Sequence, residues 1–297
     1  MKLPNFIVIG APKSGTTSLF YYLKQHPDIY LPARKELHYF SYDFIRLNCK
    51  GPGDEYVLSA LCSNWEEYRS HYVSAKKQHA VGDVSPSYLY YSVHDEIKRK
   101  LGAVKIIVML RNPIEKAYSQ YMHMVRDQLE TQSFYDALMA EKERKVAGWR
   151  DFWLYAESSL YTEKLKGYID EFGEDSVKVI LFDEFSQSAD TVMKEIFSFL
   201  EVDPDFVCDT SRSFNKTGES RLRVVANFFN RPSTIKAVLK SFLPENLRIT
   251  LRLKIMHWNT GKKNPVDDDC IAYLKDYFSE DVKSLEALLG KKIDWLR

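Results

Sequence analysis

Four cysteines in 297 residues, at positions 49, 62, 208 and 270, are too few and too scattered for a disulfide framework. None forms a C-x-x-C pair, so no zinc-ligand spacing is present and free thiols are expected. An excess of charge is also missing: 42 Lys plus Arg face 41 Asp plus Glu. No global field then draws the chain to nucleic acid or an anionic membrane, and any anion site must be local. The apolar run Phe6-Ile7-Val8-Ile9 is too short for a signal core or a membrane span, so a soluble, cytoplasmic protein is expected. Internal repeats, low-complexity tracts and linkers are absent, which points to one domain over 1–297 and says nothing about oligomeric state. What is present is a core: 45% hydrophobic residues suffice for one large buried interior. The 19 Tyr and 17 Phe are core material or the lining of an aromatic cleft.

Residues 5–10 have the pattern of a buried strand, followed by a tight loop at 11–17 that opens a helix through Leu19, Tyr22 and Leu23. Further strands are predicted at 80–84, 104–110 and 177–182, and 104–110 is the near-continuous apolar run that parallel sheets bury on both faces. Helical patterns fall at 114–126, 160–172, 191–200, 224–230 and 269–289. Strands alternating with helices predict an α/β fold with a central, mainly parallel sheet flanked by helices. Ligands bind such sheets beyond the strands' carboxyl ends, where Lys13 and Arg111 both fall. Residues 41–79 and 127–157 lack a clean period and are expected as helices and loops laid over the sheet.

The loop Gly10-Ala11-Pro12-Lys13-Ser14-Gly15-Thr16-Thr17 sets small residues, a lysine and hydroxyls where a strand turns into a helix. Main-chain N–H groups and the dipole at a helix N-terminus attract phosphate oxygens. Lys13 precedes Gly15, whereas the nucleoside-triphosphate pattern needs its lysine after the second glycine, so a P-loop kinase is the weaker reading. The competing structural explanation is a Ser- or Thr-capped helix with a solvated lysine.

With four further segments this loop resembles the sulfotransferases that use 3′-phosphoadenosine-5′-phosphosulfate (PAPS), most of all the heparan-sulfate type and its bacterial relatives. The resemblance implies a P-loop-like fold. It implies that Lys13, Ser14, Gly15, Thr16, Thr17 and Ser18 hold the 5′-phosphosulfate. Val108-Met109-Leu110-Arg111-Asn112-Pro113, followed by a helix bearing Ser119, matches the segment that binds the 3′-phosphate, through Arg111 and Ser119. A guanidinium forks onto phosphate oxygens and a hydroxyl adds a donor. Lys35-Glu36-Leu37-His38-Tyr39-Phe40 matches the segment of the catalytic base, with Glu36 in the base position. His38 is the rival base, because an imidazole titrates near neutrality. Gly82-Asp83-Val84-Ser85-Pro86-Ser87-Tyr88 resembles an acceptor-side stretch, but Val84 stands where the heparan-sulfate enzymes usually have lysine, which counts against a glycosaminoglycan acceptor. Lys216, Gly218 and Arg221 match a late basic loop that closes over PAPS, and residues 273–295 the terminal helix and tryptophan.

By this likeness the chain moves a sulfuryl group from PAPS to a hydroxyl or amine, releasing 3′,5′-bisphosphate (PAP). Positioning and electrostatics carry such a transfer and no metal is called for. Ser14 is expected to hold Lys13 back until the acceptor arrives, and His123 to be structural. Asp83 either orients an acceptor or pairs with a lysine. A carbohydrate is the first acceptor class, then a lipid, polyketide or small alcohol; Arg34, Lys35, Arg99, Lys100, Arg212, Lys216, Arg221 and Arg223 are candidates for a basic acceptor groove. An inactive nucleotide-binding protein of the same fold is the remaining alternative.

Overall fold

The structure is a computed structural model that describes residues 2–211 and 266–296. Lys216, Gly218, Arg221, Arg212, Arg223 and the helix expected at 224–230 lie outside the described residues. Five parallel strands form one sheet in the order β2-β3-β1-β4-β5: β1 (Phe6–Gly10), β2 (Ile29–Tyr30), β3 (Ala80–Val84), β4 (Lys105–Leu110) and β5 (Val177–Leu181). The sequence pattern marks four of them. Only β2 was missed, since two residues show no period and Ile29 becomes strand by pairing with Ala80.

Helices cover both faces: α1 (Thr16–Leu23), α2 (Tyr42–Leu47), α3 (Trp65–Ser70), α4 (Ser87–Tyr91), α5 (His94–Leu101), α6 (Pro113–Arg126), α7 (Phe134–Met139), α8 (Glu141–Val146), α9 (Thr162–Phe172), α10 (Phe182–Gln187), α11 (Ala189–Phe199) and α12 (Asp268–Leu289). The strands' two-residue period divides the core. Ile7 and Ile9 of β1 join Ile106, Val108 and Leu110 of β4 on one face. Phe6 and Val8 join Ile107 and Met109 on the other. Both faces are buried, which is why β1 and β4 read as unbroken apolar runs. Helix α12 closes the first face by burying Cys270, Leu274, Phe278, Val282 and Leu285, one helical stripe. Gly82 is required where β3 crosses Phe6, because a Cβ there would lie 2.1 Å from the ring. Among the described residues no helix is long and apolar enough to cross a membrane.

The chain leaves β1 toward β2 and β3, and leaves β4 toward β5 on the opposite side. Strand order therefore reverses between β1 and β4, and a crevice opens beyond their carboxyl ends. The loop after β1 and Arg111 after β4 face each other there.

Candidate active site

The loop after β1 is pinned to β4, since the Ala11 amide donates to the Met109 carbonyl (2.7 Å). Lys13 (φ 65°) and Gly15 (φ 90°) take left-handed backbone to complete the turn. Glycine is needed at 15, where a Cβ would lie 3.0 Å from the Phe182 ring. Gly15 is also the N-cap of α1, with no side-chain capping bond and no acidic residue in the first turn. The Ser- or Thr-capped alternative is thus not what forms, and the positive end of the helix dipole opens uncompensated onto the crevice.

The Lys13 ammonium lies 3.2 Å from His123 Nδ1 on α6, not on Ser14, whose side chain is fully buried. The expectation that Ser14 restrains Lys13 is corrected: the helix turn draws Ser14 inward, and Tyr161 lies against it. A lysine ammonium only donates, so Nδ1 accepts and the imidazole proton sits on Nε2, 3.3 Å from Asp127 Oδ2. Arg126 Nη2 lies 3.2 and 3.3 Å from the two ring nitrogens, and its Nε donates to Asp127 at 2.9 Å. Desolvation and the positive charge of Arg126 bring Lys13 down from 10.5 to about 7. Burial, with Lys13 and Arg126, lowers His123 to about 4 and keeps it a neutral acceptor. His123, expected as structural, is the site residue that sequence reasoning missed. Its signal was spacing: it stands one turn after Ser119 and shares that residue's face of α6.

Arg111 is held on three sides. Its Nη1 donates to the Lys13 carbonyl (3.2 Å), Nε and Nη2 grip Glu115 Oε2 (3.1 and 2.6 Å), and the guanidinium lies 4.7 Å over the Phe182 ring. The Tyr161 hydroxyl fixes the Arg111 carbonyl at 2.9 Å. Next to it Asn112 caps α6 by accepting from the Ile114 and Glu115 amides, with Pro113 opening the helix. Asn112 Nδ2 also donates to the Trp295 carbonyl (2.7 Å), so the end of the described chain braces this turn.

Glu36 and His38 also adopt left-handed backbone, φ 65° and 54°. The strained turn is anchored by main chain, with the Glu36 amide on the Val84 carbonyl (3.1 Å) and the His38 amide on Ser85 Oγ (3.1 Å). Ser85 in turn donates to Asp83 (2.7 Å), which accepts from the Tyr68 and Tyr88 hydroxyls as well. Asp83 is buried behind the site, so it neither reaches an acceptor nor pairs with a lysine; burial raises its pKa against the lowering effect of these three donors. Glu36 is ion-paired with Lys35, and its Oε2 lies 3.6 Å from His38 Nε2. Burial alone would push the Glu36 carboxyl up, but Lys35 and His38 outweigh it and hold the group below the usual carboxylate range. His38 Nδ1 is fixed by Ser87 Oγ at 2.5 Å.

These parts meet in one cleft of about 510 Å³. Lys13, Gly15, Thr16, Thr17, Ser18, Glu36, His38, Arg111, Ser119 and His123 all line it. Ser14 lies beneath the lining. A sequence model described as "Sulfotransferase family" matches residues 4–205, more than half of the chain. The chain belongs to the sulfotransferase family. A crystal structure of the sulfotransferase from Alicyclobacillus acidocaldarius is 33% identical, with all of both chains covered and a TM-score of 0.80. Mouse sulfotransferase SULT7A1 complexed with PAP shares the fold at 16% identity and TM-score 0.52, covering 98% of this chain and 89% of its own. Human carbohydrate sulfotransferase 15 is 23% identical over 248 residues, 68% of this chain and 44% of the relative. The chain therefore spans less than half the length of that curated relative.

For a sulfotransferase the P-loop-like fold is as the sequence implied, and the nucleotide-kinase alternative is set aside. The structure brings the loop and Arg111 together although 98 residues separate Lys13 from Arg111. It also adds Arg150, Asp151, Phe152 and Phe182 to the lining, none of them in a motif.

Proposed function

We propose that the chain, as a single sulfotransferase domain, transfers a sulfuryl group from PAPS to an acceptor hydroxyl or amine. One observation carries the reading: an uncapped helix N-terminus with Lys13, a fixed arginine beside a helix serine, and a carboxylate next to an imidazole line a single cleft. In this reading the 5′-phosphosulfate lies at the start of α1 against Lys13, Thr16, Thr17 and Ser18, and Arg111 and Ser119 hold the 3′-phosphate. The PAP bound in the mouse protein of this fold supports that choice of donor. Lys216, Gly218 and Arg221 complete the proposed donor site.

The acceptor oxygen forms a bond to sulfur as the bond from sulfur to the bridging oxygen breaks, and the electron pair passes to the 5′-phosphate. The acceptor proton goes to Glu36, while Lys13 stabilises the charge that builds on the leaving oxygen. His38 positions the Glu36 carboxylate. A carbohydrate acceptor is supported by the name of the human relative, and a cytoplasmic setting by four free thiols.

The test is binding of PAP without metal. PAP at about 100 times its Kd should stabilise the protein by about 2.7 kcal/mol, whereas ATP with Mg²⁺ should not. Arg111→Ala should weaken PAP binding roughly 10–100-fold, since a charged hydrogen-bonding partner is worth about 1.5–3 kcal/mol. Unchanged PAP affinity in Arg111→Ala would overturn the placement of the 3′-phosphate.

A pH dependence follows from Lys13, at about 7 in the free protein. A bound phosphate favours its charged form and raises that value, so above pH 7 the complex holds more protons than the free protein. Binding then takes up a proton, and affinity weakens as pH rises from about 7 toward the bound value; below 7 Lys13 is charged in both states and contributes no slope. Calorimetry at pH 8 in buffers of different ionisation enthalpy should register this uptake, and Lys13→Ala should lose it.

A further inference from the structure

The two halves of the cleft are built differently. The donor half carries Lys13 and Arg111 at an open helix N-terminus. Beyond Glu36 and His38 the wall is Ile45, Val57, Ala60 and Leu61. Main-chain bonds tie this wall to the segment bearing Glu36: Ser41 N donates to the His38 carbonyl (3.2 Å), Ile45 N to Ser41 (3.0 Å) and Cys62 N to Leu37 (2.9 Å). An acceptor hydroxyl placed at Glu36 therefore has an apolar surface beside it.

The two cations lining this half, Lys35 and Arg150, are already paired. Lys35 is bonded to Glu36, Arg150 Nε lies 2.6 Å from Asp54 Oδ1, and Asp151 accepts from the Tyr91 hydroxyl at 3.0 Å. The other cations expected to form a basic groove do not serve it among the described residues. Arg34 pairs with Glu67, Arg99 with Glu96, and Lys100 sits 5.0 Å over the Trp65 ring. Phe44, Leu47 and Tyr56, on the segments that supply Ile45 and Val57, are 47%, 61% and 68% exposed.

Resting on the donor reading above, we infer that the acceptor is an alcohol carried on an apolar body, which lies along Ile45, Val57 and Leu61 while its hydroxyl reaches Glu36. A carbohydrate fits this only as the head of such a molecule.

The test uses labelled PAPS with n-alkyl glucosides of increasing chain length, and a heparan-type oligosaccharide as the polyanionic arm. The expected result is a kcat/KM that rises about fourfold per methylene until the wall is filled, the value of about 0.8 kcal/mol per buried CH₂. Val57→Asp, and separately Ala60→Asp at an exposed position, should flatten that rise and lower kcat/KM for the longest chain at least tenfold. PAP affinity measured on the same variants should be unchanged, which shows that they are folded. PAP binding together with a flat chain-length dependence, preference for the oligosaccharide, or no transfer to any glucoside would overturn the apolar acceptor alone. Failure of the unaltered protein to bind PAP would overturn the donor reading and this one with it.

Discussion

Lys13→Ala is expected to reduce turnover by roughly 10²–10³-fold, the effect of removing one group aimed at charge that develops in a transition state. The position explains the size. Lys13 sits on a left-handed turn held to β4, one residue from Ser14 and two from the open start of α1, and its ammonium is aimed by His123. Arginine at 13 would not restore the rate, because a planar fork has different reach and cannot replace a compact ammonium. Single-turnover transfer from labelled PAPS checks this. A Lys13→Ala protein that still turns over within a few-fold of the parent would remove the lysine from the chemistry.

Glu36→Gln should cost roughly 10²–10⁴-fold in kcat, the usual contribution of a positioned general base. The substitution keeps shape and removes only the capacity to take a proton, so PAP affinity should hold. Because Lys35 and His38 keep Glu36 below the ordinary carboxylate range, it stays ionised as pH falls through that range, and its loss cannot be imitated by mild acid. His38→Ala should fall less far, since His38 acts through its 3.6 Å contact with Glu36. If the histidine variant lost more than the glutamine variant, the proton would belong on His38.

Much of this architecture was legible because its causes are local. The apolar runs of β1 and β4, the period of α12, and the Asn112-Pro113 opening of α6 each follow from neighbouring residues, whose spacing alone sets burial and capping. The motif around Lys13 was visible for the same reason, since a strand, a tight loop and a helix start are contiguous in the chain. Asp83 was ambiguous in sequence because a carboxylate on a strand shows neither its depth nor its partners, and three hydroxyl donors from Tyr68, Ser85 and Tyr88 fix its role behind the site.

The sequence by itself determined the α/β class, four of the five strands, and the residue types able to grip two phosphates and accept a proton. Tertiary structure alone decided that the Lys13 carbonyl lies within 3.2 Å of Arg111, that His123 rather than Ser14 meets the lysine, and that Arg150 is neutralised by Asp54 from 96 residues away. It also decided the apolar wall beside Glu36. The reason is physical: periodicity reports which face of an element is buried, but the order of strands in the sheet selects which buried faces and loop ends meet, and that order is set by the packing of the whole core.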